Sequence, residues 1–149
     1  MPLPELQGII DALLAARVPD EALGVWRREK KIFGVPRPPV IDPIGHAWRL
    51  GVLLIARDGS LYATGKVTRA IVPKDFNADK SIAGDERREL QRAAARGAFR
   101  PGETVNYDWR ALSIDNPAAP LSLVDGVLHV IDGASVPIGV YLDARLALL

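Results

Sequence analysis

At 149 residues the chain has the length of one ordinary domain, enough to bury a real core, and 48% apolar with 25% charged residues is the balance of a soluble globular protein. Nineteen basic against eighteen acidic side chains leave almost no net charge, which excludes a global electrostatic pull toward nucleic acid or anionic membrane. The absence of cysteine excludes disulfides, thiolate metal sites, thiol nucleophiles and thiol redox switches in this chain.

Arginine greatly outnumbers lysine, beside abundant alanine, glycine and proline, the bias of a GC-rich bacterial genome; a high arginine count alone therefore carries little functional weight. The N-terminal stretch lacks a basic region and carries Glu5 and Asp11 inside its apolar part, unlike a signal peptide. No apolar run approaches the ~18 residues of a membrane span. The expectation is a cytoplasmic protein.

In chain order, Leu3, Leu6, Ile10, Leu13, Leu14 and Val18 recur at helical spacing and predict an amphipathic helix over 4–17, stopped by Pro19. Asp20 reads as the N-cap of a second helix with Leu23, Trp26 and Phe33 inward, which makes 1–33 a helical segment. Four prolines in "GVPRPPVIDPIG" predict an extended connector over 34–45. Its PxxP, Pro36 to Pro39, reads as a stiff linker laid over the surface.

"WRLGVLLIARDGSLYATGKVTRAIV" predicts a hairpin around Asp58-Gly59. A two-residue type I′ turn there pairs Arg57 with Ser60, Ala56 with Leu61, Leu54 with Ala63, Val52 with Gly65 and Leu50 with Val67 on one apolar face. Arg49, Gly51, Leu53 and Ile55 then oppose Thr68, Lys66, Thr64 and Tyr62 on a mixed one. Residues 72–84 read as a loop.

"DERRELQRAAARGAFR" predicts a helix over about 85–97, capped near Asp85 and closed by Gly97. Arg88, Arg92, Arg96 and Arg100 recur at intervals of four and so stack on one face. Leu90, Ala93, Ala94 and Gly97 form the opposite face, small enough to lie close on a sheet. Residues 104–114 alternate, with Val105, Tyr107, Trp109 and Ala111 on one side and Thr104, Asn106, Asp108 and Arg110 on the other. A meander follows with turns at Asp125-Gly126 and Asp132-Gly133. The final run predicts a strand at least through Leu142, with Pro137 at an edge or at the strand's start. The tail from Asp143 reads as strand or helix.

Every strand connection except the 85–97 helix is short. The expected fold is therefore a single α+β domain over 1–149, an antiparallel sheet of about five to six strands. The N-terminal helices and the inserted helix pack on that sheet, which occupies 46–149.

No Walker A, GxGxxG, HExxH, GxSxG, EF-hand or zinc spacing occurs, so no cofactor and no metal ion are expected. His46, where a strand begins, reads as a polar strand-end residue, and Asp42 makes no convincing metal pair with it across Pro43. His129 falls opposite Ser122 in the hairpin turning at Asp125-Gly126. That is the start of a nucleophilic dyad, without an evident orienting carboxylate or oxyanion hole, and a cross-strand polar pair is the commoner arrangement. Thr104, Asn106, Asp108 and Arg110, with Glu103 beside them, would line a polar cleft for a small anion or sugar if they met Thr64, Lys66 and Thr68. The solvated side of a sheet alternates in the same way.

The catalytic candidates are thus His129, Ser122, Asp108 and Arg110, and the ligand-binding candidates Asn106, Lys66, Arg88, Arg92 and Arg96. Along the arginine ladder, acids in the first turns and bases in the later ones suit the helix dipole. Asp85–Arg88 and Glu89–Arg92 form i,i+3 pairs that offset repulsions of about 0.2–0.5 kcal/mol at 88/92 and 92/96. No external anion is needed to explain it.

The expected function is a non-enzymatic binding or assembly domain, a homodimer or the holder of a protein partner, given the missing catalytic constellation and a mean hydropathy of +0.08. One alternative is a small-molecule acid–base or hydrolytic enzyme using His129, Asp108 and Arg110. Another is nucleic-acid or polyanion binding through Arg88, Arg92, Arg96 and Lys80. Neutral net charge and the lack of interleaved aromatics count against the last.

Overall fold

The computed structural model describes residues 3–27, 33–74 and 80–149. In chain order the elements are α1 (Pro4–Ala15), β1 (Glu21–Arg27), β2 (Val40–Leu50), β3 (Leu53–Ile55), β4 (Leu61–Ala63), β5 (Lys66–Arg69) and α2 (Ile82–Arg96). They continue with β6 (Thr104–Tyr107), β7 (Arg110–Leu112), β8 (Leu121–Val124), β9 (Val127–Asp132), β10 (Ala134–Pro137) and α3 (Ile138–Leu146). The chain divides into two compact units. The first comprises Met1–Asp20, His46–Thr64 and Trp109–Leu149; the second comprises Glu21–Gly45 and Gly65–Asp108.

Hydrogen-bonded strands follow the order β5-β6-β1-β2-β3-β4-β7, with β10-β9-β8 as a separate antiparallel sheet. The larger sheet is mixed, because β1 and β6 run parallel, Ala22 opposite Val105 and Leu23 opposite Asn106. The expected five-to-six-stranded antiparallel sheet is thus corrected to a mixed seven-stranded sheet and a three-stranded one. Among the described residues no helix is long and apolar enough to cross a membrane.

In the first unit α1 forms as expected, with Pro4 at its start where a missing N–H costs nothing. Leu6, Ile10 and Leu13 bury against Trp48, Leu53, Ile55 and Leu142. Each fully buried side chain of this size contributes about 1.5–3 kcal/mol. The Trp48 indole N–H donates to the Val18 carbonyl at 2.9 Å, so the segment leaving α1 is tied to β2.

The hairpin register differs from the expected one by a single residue. Leu53 pairs with Ala63, Leu54 with Tyr62 and Ile55 with Leu61. The loop is longer than two residues: Ala56 N–H donates to the Ser60 carbonyl at 2.9 Å, and Gly59 N–H to the Ala56 carbonyl at 3.0 Å. Gly59 has φ +88, the left-handed residue that follows a type I turn in three-residue hairpins. A one-residue slip exchanges the faces of a strand, but Leu53, Leu54 and Ile55 are all fully buried. With both faces covered, alternation does not select the register. Nor does the hairpin reach Val67: Leu50 instead pairs with Leu53 across Gly51, and Val67 pairs with Asn106 in the second unit.

Asp125 (φ +50) and Gly126 (φ +77) make the turn expected of them, of the two-residue type I′, and Ser122 lies opposite His129 as the sequence implied. The expected strand through Leu142 ends at Pro137 and gives way to α3. Its apolar residues satisfy two periods; Ile138, Tyr141 and Leu142, spaced i, i+3, i+4, are the buried ones. The Tyr141 hydroxyl accepts the Val52 N–H at 3.0 Å and donates to Asp132 Oδ2 at 2.7 Å; Arg145 holds the same oxygen at 2.9 Å. Burial, foremost, raises the Tyr141 pKa above the ordinary phenol value.

In the second unit the described start of the expected second helix is a strand, and its part over 28–32 lies outside the described residues. Residues 21–27 form β1 with Ala22, Leu23 and Gly24 buried, Trp26 partly exposed, and Phe33 beyond it fully exposed rather than inward. Pairing on both edges outweighs a local helix signal already weakened by Gly24. The proline-rich connector is shorter than expected, because Val40–Gly45 already belong to β2 and 34–39 alone remain of it. Pro43 is exposed within that strand, and Arg27 ion-pairs with Asp42. Ala22, Ile41, Val105 and Tyr107 form the core under Ala93 and Ala94 of α2. That helix starts three residues earlier than expected, where Gly84 N–H donates to the Ser81 hydroxyl at 3.0 Å.

The Asp58-Gly59 loop yields a direct check. Gly59→Val forces a β-branched residue to positive φ and is expected to destabilise by at least about 1 kcal/mol in urea unfolding. An unchanged midpoint would contradict the turn geometry.

Candidate functional site

The expected strand over 104–114 is broken at Asp108, whose φ of +54 ends β6 before β7 begins. Thr104, Asn106, Asp108 and Arg110 therefore do not share one continuous face. Asp108 is 3.9 Å from the Lys66 ammonium, an exposed pair in the second unit of little energetic consequence. Arg110 belongs to the first unit and donates to the Ala119 carbonyl at 3.2 Å. Asn106 is buried; its amide donates to Glu21 Oε1 at 3.1 Å and to the Ala22 carbonyl at 3.3 Å, and its Oδ1 finds no partner among the described residues.

Ser122 and His129 are brought together by strand register. A dyad histidine needs its Nδ1–H held by a carboxylate. His129 Nδ1 is buried with no hydrogen-bond partner among the described residues, so that part of the constellation is missing. Among the described residues no group of three His, Asp or Glu side chains is placed to hold a metal ion.

The helix carries three of the four ladder arginines, since α2 ends at Arg96 and Arg100 lies beyond it. Arg88 is not on a solvated face: its side chain is 9% exposed and pairs with Asp85. Arg92 pairs with Glu89 at 2.6 Å, and Arg96 donates to the Pro39 carbonyl at 2.9 Å.

Sequence reasoning missed a groove of about 450 Å³ in the second unit. Its apolar lining comes from Trp26, Pro39, Ile82 and Leu90, and its acidic lining from Asp85, Glu86 and Glu89. Trp26 is 40% exposed and Ile82 79% exposed. The Trp26 and Tyr107 rings meet edge to face, centroids 5.9 Å apart and planes at 86°. Burial, then the Asp108 charge, raises the Tyr107 pKa. Ile82, Glu86 and Leu90 recur every four residues along α2, so the lining extends over about 12 Å at 1.5 Å per residue. The available signal was Ile82 at i−4 from Glu86 and i−8 from Leu90, hidden by placing 72–84 in a loop.

Compared with known proteins, the chain matches no family model, no curated protein and no solved structure.

The burial difference along the ladder is measurable. Arg88→Gln is expected to cost about 1 kcal/mol or more, because it removes a buried stem and a charge-assisted hydrogen bond. Arg92→Gln, at a more exposed pair, should stay within about ±0.5 kcal/mol. Equal urea midpoints for the two variants would refute the assignment.

Proposed function

We propose that this chain is a non-enzymatic binding domain that holds its partner in the groove along α2. The observation that carries this reading is the exposure of Trp26 and Ile82 beside Leu90 and Pro39, bulky apolar surface gathered in one concavity. Hydrolytic chemistry at Ser122 and His129 has less support, since among the described residues no carboxylate orients the imidazole. Polyanion binding has less as well: Arg88, Arg92 and Arg96 are already engaged by Asp85, Glu89 and the Pro39 carbonyl.

Assembly into a homodimer is a second reading, favoured by one feature of the small sheet. Val124, Val127 and Ile131 are exposed and share the strand face that carries Ser122 and His129. A second copy covering that face would remove this apolar surface from water.

Ligand screening by NMR on isotope-labelled protein separates binding from catalysis. With a library of small amphipathic fragments, shifts are expected at Trp26, Ile82 and Leu90 and not at Ser122 or His129. Shifts confined to Ser122 and His129, or covalent labelling of Ser122 by a fluorophosphonate, would favour the enzyme instead.

A further inference from the structure

We infer that the occupant of this groove is an extended peptide segment in which a lysine or arginine stands beside a bulky apolar residue. The inference rests on the binding reading above and adds the chemistry of the partner.

Charge complementarity is the first support. Among the described residues the lining contains three carboxylates and no basic side chain. Asp85 and Glu89 are paired within α2 but keep side-chain exposures of 68% and 59%, so each retains acceptor positions open to solvent. Glu86 has no ion pair or hydrogen bond with the described residues. A cation entering here finds the Glu86 carboxylate flanked by two more, whereas a phosphate-bearing nucleic acid or anionic membrane would be repelled.

Aromatic chemistry points the same way. Trp26 meets Tyr107 edge to face, and its indole is partly open to the groove. A guanidinium or ammonium group over an indole face gains a cation–π contact, while its aliphatic stem covers apolar surface.

Shape supplies the third support. The groove follows α2 for about 12 Å, from Ile82 to Leu90. An extended chain advances about 3.3 Å per residue, so roughly four residues span it, with alternate side chains facing the helix. One basic and one bulky apolar side chain, two residues apart, would meet the carboxylate rim and the Ile82–Leu90 floor respectively.

The test pans a phage-displayed random linear peptide library against the full-length chain. The enriched peptide is then synthesised with a fluorescent label, and its binding is measured by anisotropy. The partners are wild type, Glu86→Lys and Ile82→Ser, both at surface positions, with folding checked by circular dichroism. The expected consensus places lysine or arginine next to, or two residues from, an aromatic or aliphatic residue. Its affinity should fall about tenfold or more in each variant and weaken several-fold as salt rises, as exposed charge pairs do. Peptides without a basic residue, weakened by Ile82→Ser but not by Glu86→Lys, would overturn the cationic partner and leave a binding groove standing. No enrichment, or peptides indifferent to both substitutions, would overturn both readings.

Discussion

Two glycines close on one residue in the second unit. A Cβ on Gly24 would lie 2.5 Å from Ile41 Cγ2 and 2.9 Å from Val105 Cγ1, and a Cβ on Gly97 would overlap the Ile41 carbonyl oxygen. These missing methyl groups let β1 sit between β6 and β2 and let the end of α2 reach the backbone of β2. Ala93 and Ala94 continue the close approach from the helix side, both fully buried. Once α2 is seated there, its Ile82–Leu90 face and Trp26 of β1 have nowhere to go but the groove. The groove is a consequence of how the core was closed.

The charges on α2 follow the same logic. Acids in the first turns and arginines in the later ones suit the helix dipole, and the i,i+3 pairs engage Arg88 and Arg92 within the helix. Arg96 spends its guanidinium on the Pro39 carbonyl, which ties the helix to the segment leading into β2. On the groove side of the first turns, acid stands beside apolar surface. In the first unit the corresponding tie is the Tyr141 hydroxyl, which links α3 to the turn after β2 and to Asp132. A Cβ at Gly51, where φ is +63, would collide with that ring.

Where local chemistry admits one answer, the sequence was legible. Asp125-Gly126 demanded a type I′ turn, and Ser122 opposite His129 followed from it. Leu6, Ile10 and Leu13 specified α1. The misreadings share a cause, in that tertiary context chose between local options of similar quality. Residues 21–27 carry helix-compatible apolar spacing, and only their pairing with β6 makes Gly24 a strand glycine. Residues 138–142 suit period two and period 3.6 alike, so their change to helix at Pro137 was invisible. The β3 register was undetermined because both its faces are covered, and an Asp in the left-handed region breaks 104–114 without a glycine to announce it. The candidate groove was illegible for the same reason. Local pattern alone puts Trp26 on a helix's inner face and Ile82 in a loop.

The claim that the groove-bearing unit depends on the contact of α2 with Ile41 is tested most directly by the unfolding midpoint of Gly97→Ala. Gly97 has φ −80 and ψ 173, a conformation open to alanine, so backbone strain does not enter. At such a position the substitution ordinarily stabilises by about 0.4–1 kcal/mol through the unfolded chain. Overlap with the Ile41 carbonyl predicts instead a loss of about 1–3 kcal/mol, as overpacking produces. A midpoint equal to or above that of the unsubstituted chain would contradict it.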